Sequence, residues 1–273
     1  MMIYFSPAKI NLGLQILERR EDGFHELRSV MYPTGLCDII EINQLPAAKG
    51  PLRFSQSGIR FASDLDENLC VNAWELLSSE RTLPNVAIHL HKQIPVGAGL
   101  GGGSSNASTT LQGLNQIAGS TVSAERLTEL AAQLGSDCPF FLHNKAMMME
   151  GRGDVLSPVR LSLDTLYLVL LFPDIHISTA EAYGGVTPAY PEVHLRELLE
   201  TPNDRWKDLI KNDFEKSAFI RHPLLKELKN SLYDAGASYA SMSGSGSSMY
   251  GLFNSPPELP QNIKKYVIWA GQA

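Results

Sequence analysis

The sequence predicts an α+β fold. Three observations carry that expectation: the alternating run Val86–His91, helical stretches bounded by good capping residues, and strand segments gathered late in the chain without a regular strand–helix–strand rhythm. Taken in order, Met2–Ser6 and Leu36–Ile42 read as strands, the second from β-branched residues between turn signals. A helix is expected over Asn68–Arg81, after the acidic stretch Asp64–Glu67. A second runs from Ser104 or Ser105 to about Ile117. A third is framed by Ser123 as N-cap and Gly135 as C-cap, and a fourth by Pro223 in its first turn and Gly236 at its end. Tyr167–Phe172 suits a buried strand, and Ser238–Met242, Ser247–Phe253 and Lys265–Ala270 follow as further strand candidates. The loops Pro188–Pro191 and Pro256–Pro257 punctuate this half, and a boundary falls near 157–165.

Composition narrows the function classes. The chain has 273 residues, 44% of them hydrophobic and 19% charged, enough for a sizeable core. Its net charge of −6 and lack of a basic patch argue against a nucleic-acid partner. No run approaches the ~20 apolar residues of a membrane span, and no signal-peptide pattern opens the chain, so a cytoplasmic protein with no membrane partner is expected. Cys37, Cys70 and Cys138 give neither a disulfide framework nor zinc spacing. His89 and His91 share one face of their strand, but with no third ligand in sight a solvated face is expected.

One segment stands apart. Gly97–Ser105 holds five glycines and two serines between a strand and a helix. Glycine permits positive φ and close approach to a ligand, so backbone N–H groups and the positive end of the next helix can converge on an anion. Gly97, Gly99 and Gly102 meet the GxGxxG pattern, but the segment lies a third of the way along rather than after a first strand, which disfavours a dinucleotide fold. No Gly-Lys-Ser/Thr follows, so it is not a P-loop, and the protein-kinase signatures are absent. With a net negative chain, attraction for a polyphosphate must be local.

Three segments together resemble the GHMP kinases. Ser6–Leu12 is similar to their first motif, Pro95–Ser105 to their second, nucleotide-binding motif, and Ser241–Ser248 to their third, a glycine-rich loop near the phosphates. Asp22–Leu27 and Gly135–Phe141 further resemble segments of a subgroup that phosphorylates the 2-hydroxyl of 4-diphosphocytidyl-2-C-methyl-D-erythritol, in the non-mevalonate route to isoprenoid precursors. The resemblance implies a two-lobed fold with the active site in the cleft between lobes, residues 1–160 forming a nucleotide-binding lobe and 161–273 a lobe completing the substrate site. It also implies ATP as co-substrate and Mg²⁺. The metal ligands stay open, because no acidic residue occurs between Ser104 and Ile117. The alternative is a GHMP kinase acting on mevalonate, galactose or homoserine.

The same resemblance assigns the nucleotide to Pro95, Val96, Gly97, Ala98, Gly99, Leu100, Gly101, Gly102, Gly103, Ser104 and Ser105. It makes Asp137 the catalytic aspartate that takes the hydroxyl proton; from the residues alone, a turn or capping aspartate before Pro139 is the favoured reading. Lys9 is its catalytic partner, neutralising phosphoryl charge or holding Asp137 ionised. Asn11 shares Lys9's face if the strand continues and would donate to the substrate. Phe24 and Tyr183 are the two walls of a cytosine sandwich, with His25 bonding the base edge, although a loop phenylalanine also commonly anchors a core. Thr179, Gly244 and Ser245 complete the expected substrate-binding set.

Overall fold

The computed structural model describes residues 1–59 and 68–273, so the acidic stretch Asp64–Glu67 lies outside the described residues. By its internal contacts the chain forms two compact units. The first comprises Met1–Ala8, Leu36–Val96 and Gly101–Asn144; the second comprises Lys9–Gly35, Gly97–Leu100 and Lys145–Ala273. The units interleave along the chain because two long strands, β1 (Met2–Arg19) and β2 (His25–Gln44), contribute residues to both, so neither coincides with the continuous segments 1–160 and 161–273. β1 thus runs well beyond the expected Met2–Ser6.

In the first unit, β3 (Leu52–Gly58) is followed by α1 (Leu69–Glu80), β4 (Val86–Lys92), α2 (Gly102–Ile117), α3 (Ala124–Leu134) and α4 (Cys138–His143). β4 pairs antiparallel with Ile39–Gln44 of β2 and parallel with β3. The alternation read from the sequence is the alternation observed: Val86, Ile88 and Leu90 are buried and the residues between them half-buried. Ile40, Ile42 and these three pack with Leu77 of α1, Leu111 and Leu114 of α2, and Leu127 and Leu130 of α3 in one hydrophobic core. His89 and His91 point the other way, where Ser55 and Ser57 of β3 lie 2.8–2.9 Å from their ring nitrogens. Cys70 and Cys138 are free and buried, and burial pushes both thiols up to about 11.

Capping behaves as read, with one difference. Asn68 accepts from Cys70 N ahead of α1, and Ser123 accepts from Arg126 N ahead of α3. Gly135 ends α3, but at φ 165°, an extended conformation open to any residue rather than a left-handed cap.

In the second unit, β5 (Met147–Glu150) pairs with Ser29–Met31 of β2 and with β6 (Val155–Pro158). A separate antiparallel sheet joins β7 (Tyr167–Leu171), β8 (Tyr239–Met242), β9 (Met249–Phe253) and β10 (Val267–Gln272) in the order β10-β7-β9-β8. Short helices α5 (Thr179–Gly184), α6 (Leu195–Leu199), α7 (Trp206–Leu209) and α8 (Glu215–Arg221) lead to α9 (Pro223–Asp234), and α10 (Gln261–Lys264) precedes β10. α9 buries Leu225, Leu228 and Leu232, one face at helical spacing, and its chain reverses through Gly236 at φ 95°.

Leu111 is fully buried in the first unit's core. Leu111→Ala should lower unfolding free energy by about 2–5 kcal/mol in urea titration; a loss below about 1 kcal/mol would mean that α2 does not depend on this packing.

Candidate active site

In the glycine segment, Gly97, Gly99 and Gly101 adopt left-handed φ of 67°, 76° and 67°. Non-glycine residues strain in that region, so the alternation of glycines has a conformational cause. Gly101 is also the N-cap of α2 and has no side chain to cap it, so the first-turn N–H groups of Gly102, Gly103 and Ser104 receive no side-chain cap. No acidic residue sits in that turn to compete for an anion. Gly102 is needed for a different reason: a Cβ there would sit 2.8 Å from Lys92 Nζ and 2.9 Å from Ile94 Cγ2.

The second unit joins residues from both ends of the chain to Gly97–Leu100. Lys9 N donates to Leu100 O at 2.9 Å, Ser248 N to Ala98 O at 3.1 Å, and Ser243 Oγ to Gly99 O at 2.8 Å. A Cβ on Gly99 would lie 2.1 Å from Ser243 O, so only glycine permits this approach. Gly244 follows at φ 57°, and a Cβ there would come within 3.3 Å of Gly99 O and 3.4 Å of Asn11 Oδ1. Ser245 beside it is half-buried. Lys9 is 5% exposed; its Nζ donates to Asn11 Oδ1 at 2.5 Å, Asn11 Nδ2 to Ser29 Oγ at 2.9 Å, and Ser29 Oγ to Gly13 O at 2.5 Å. The three sequence motifs of the notable glycine, lysine and serine residues therefore meet in space, and Asn11 does share Lys9's face.

The hairpin between β1 and β2 carries the aromatic residues. Gly23 turns at φ 85°, and Asp22 Oδ1 accepts from Phe24 N at 3.1 Å. Phe24 is 56% exposed, so it is no core anchor; the Arg152 guanidinium lies 5.1 Å from its ring centroid. His25 stacks on Tyr183 at 4.8 Å with planes 28° apart, and Tyr183 meets Phe214 edge-on at 4.9 Å. Tyr183 is placed by α5, whose N-cap Ser178 accepts from Glu181 N at 3.1 Å; Thr179 is exposed at its first position.

Asp137 belongs to the first unit, at the N-cap position of α4. Its backbone is helical, at φ −81° and ψ −15°, and its side chain makes no capping hydrogen bond to α4. The next residue is tied to α2, since Ser108 Oγ donates to Cys138 O at 2.7 Å. Pro139, Phe140 and Phe141 are buried behind it, the two rings packed edge-on at 4.9 Å.

Sequence reasoning missed several polar residues that support these segments. Asn212 Nδ2 donates to Met242 O at 2.9 Å and Gly244 O at 2.8 Å. Glu215 accepts from Met242 N at 2.9 Å and from Ser241 Oγ at 3.1 Å. Asp38 and Lys92 form a buried ion pair in the first unit. Lys92 falls on β4's inward positions, two residues after Leu90, and that was the available signal. A cavity of about 700 Å³ in the second unit, lined by Gln15, Tyr190, Asn212 and Asp213 among others, includes none of the sequence-predicted site residues. Among the described residues, no three His, Cys, Asp or Glu side chains gather where they could hold a metal. No helix among those residues is long and apolar enough to cross a membrane.

Comparison with known proteins places the chain in a family. Residues 68–145 match the family description "GHMP kinases N terminal domain" and residues 195–267 match "GHMP kinases C terminal". A 4-diphosphocytidyl-2-C-methyl-D-erythritol kinase of Bacteroides fragilis is 48% identical over 94% of this chain and 93% of its own. The crystal structure of a 4-(cytidine 5'-diphospho)-2C-methyl-D-erythritol kinase superposes with a TM-score of 0.82 at 31% identity, covering 99% of this chain and 98% of that one. A homoserine kinase from Cytophaga hutchinsonii shares the fold alone, with a TM-score of 0.63 at 17% identity over 96% of this chain and 88% of its own. With both family domains matched and a relative 48% identical over 94% of this chain, the chain belongs to the GHMP kinases.

Proposed function

We propose that this chain transfers the terminal phosphate of ATP to the 2-hydroxyl of 4-diphosphocytidyl-2-C-methyl-D-erythritol, a step toward isoprenoid precursors, in a cytoplasmic setting. The observation that carries the reading is the convergence of Lys9, Asn11, Gly99 and Gly244, from segments far apart in sequence, beside the glycine segment that leads into α2. The substrate is supported by the names of relatives more than 40% identical over nearly the whole chain. It is supported too by an exposed aromatic ring, Phe24, next to a histidine on the same hairpin.

The chemistry follows from the groups present. The ATP phosphates sit against the N–H groups of Gly102–Ser104 and the positive end of α2. Asp137 accepts the hydroxyl proton as the alcohol oxygen bonds to the γ-phosphorus. The bond from that phosphorus to the β–γ bridging oxygen breaks, and ADP leaves with the electron pair. Lys9, a buried ammonium, offsets charge on the transferred group. Asn11 and Thr179 bind the alcohol; Gly244 and Ser245 keep the third loop against the phosphates. Cytosine stacks on Phe24 and Tyr183, and His25 bonds its edge. α2 offers no carboxylate; Mg²⁺, if bound with ATP, would neutralise charge on its phosphates.

Asp137→Asn should depress kcat by roughly 10²-fold or more, with ATP affinity nearly unchanged; steady-state kinetics beside nucleotide titration checks both, and near-normal turnover would remove Asp137 from the mechanism. For the substrate, ADP release should appear with the cytidine compound and not with mevalonate, galactose or homoserine. Phe24→Ala should raise KM for that compound roughly 5- to 150-fold, the equivalent of one base–aromatic stack. Neither KM for ATP nor the melting temperature should move, because the ring is 56% exposed. Phosphorylation of one of the other three alcohols, with the cytidine compound ignored, would overturn the substrate assignment.

A further inference from the structure

The buried carboxylate of Asp38 gathers four donors in the first unit. Oδ1 accepts from Gln93 N at 2.6 Å and Ile94 N at 2.8 Å, and Oδ2 accepts from Asn106 Nδ2 at 2.9 Å and from Lys92 Nζ. Gln93 and Ile94 are the residues just before the segment Pro95–Ser105, and Asn106 is the residue just after it. Asn106 Nδ2 also donates to Ser6 Oγ at 3.0 Å, and Ser6 Oγ donates to Ser105 Oγ at 2.8 Å. Lys92 lies against Gly102, where a Cβ would come within 2.8 Å of its Nζ. Asp38 is fully buried and Lys92 only 2% exposed, and burial holds the lysine below its ordinary range against the opposing pull of Asp38.

A buried ion pair rarely adds net stability over an apolar pair, so stability alone gives little reason for charge at this place. What the charge does geometrically is join the two flanks of the glycine segment. We propose that Asp38 is a positioning residue for ATP: by tying Gln93–Ile94 and Asn106 to one carboxylate it fixes the direction of the first-turn N–H groups of α2, with Lys92 as its neutralising partner. The proposal rests on the nucleotide reading given above and adds to it a residue that touches no substrate.

The test is a double-mutant cycle read by nucleotide titration calorimetry and by separate KM values. Asn106→Leu keeps the ion pair and removes the tether. It should weaken ATP binding on the order of 10-fold while KM for the cytidine compound stays within about twofold. Asp38→Asn should do the same, and the double variant should bind ATP no worse than the weaker single, because both remove one tether. If Asp38→Asn fails to fold with Lys92 left unpaired, Asp38→Asn/Lys92→Met takes its place. Unchanged ATP affinity in folded Asn106→Leu, a parallel rise in both KM values, or independent multiplying effects would each overturn the proposal. Wild-type protein that binds no ATP would instead overturn the nucleotide reading itself.

Discussion

The site is organised around a contact between two stretches of main chain. Gly99 and Ser243 approach so closely that a Cβ on the glycine would lie 2.1 Å from the serine's carbonyl oxygen. Everything near it follows from that approach. Ser243 Oγ bonds Gly99 O, Ser248 N bonds Ala98 O, and Gly244 comes to rest beside Asn11. Backbone groups brought this near must be paired, since a buried unpaired donor or acceptor costs about 1–3 kcal/mol. Asn212 supplies that pairing for the carbonyls of Met242 and Gly244. A polar side chain that is 2% exposed thus holds in place a loop otherwise made of glycine and serine.

The two units solve the burial of polar groups in parallel ways. In the first, Asp38 serves Lys92, Asn106 and two backbone N–H groups; in the second, Glu215 serves Lys229, Ser241 and Met242 N. Each is a carboxylate with both oxygens engaged, the condition under which a buried charge is tolerated. Each also stands next to a segment that carries the proposed chemistry. Rigidity where phosphate must be held is obtained from satisfied networks, which lose much of their strength if one member is missing.

Much of the fold was legible because local signals and tertiary packing agree. Ser123 and Asn68 cap the helices they were expected to cap, and Val86, Ile88 and Leu90 face the core as their alternation demands. β3 escaped notice because its side chains are mostly exposed and polar, leaving no hydrophobic period to read. β5 is a run of methionines, flexible residues that mark no particular element. The motif residues were legible because glycine and serine are dense there. Asp38 and Lys92 were not. They lie 54 residues apart at inward positions of strands whose register sequence alone does not supply, and the expected strand stopped at His91, one residue short of the lysine. The sequence suggested Phe24 and Tyr183 as walls of a cytosine site with His25 at the base edge; the stacking of His25 on Tyr183, 4.8 Å apart with planes 28° apart, was not legible in it.

In the proposed cytosine site, that ring pair would give selectivity a competitive character. A planar ligand that displaces His25 from Tyr183 exchanges one stacked partner for another, and the tyrosine face is covered before and after. An aliphatic alcohol that causes the same displacement uncovers the face and offers nothing flat in return. At about 1 kcal/mol for an aromatic pair, the difference is roughly fivefold in occupancy. In the proposed cytosine site, a histidine displaced in this way could turn its ring nitrogens toward the base edge, so the stack would favour a ring able to replace it.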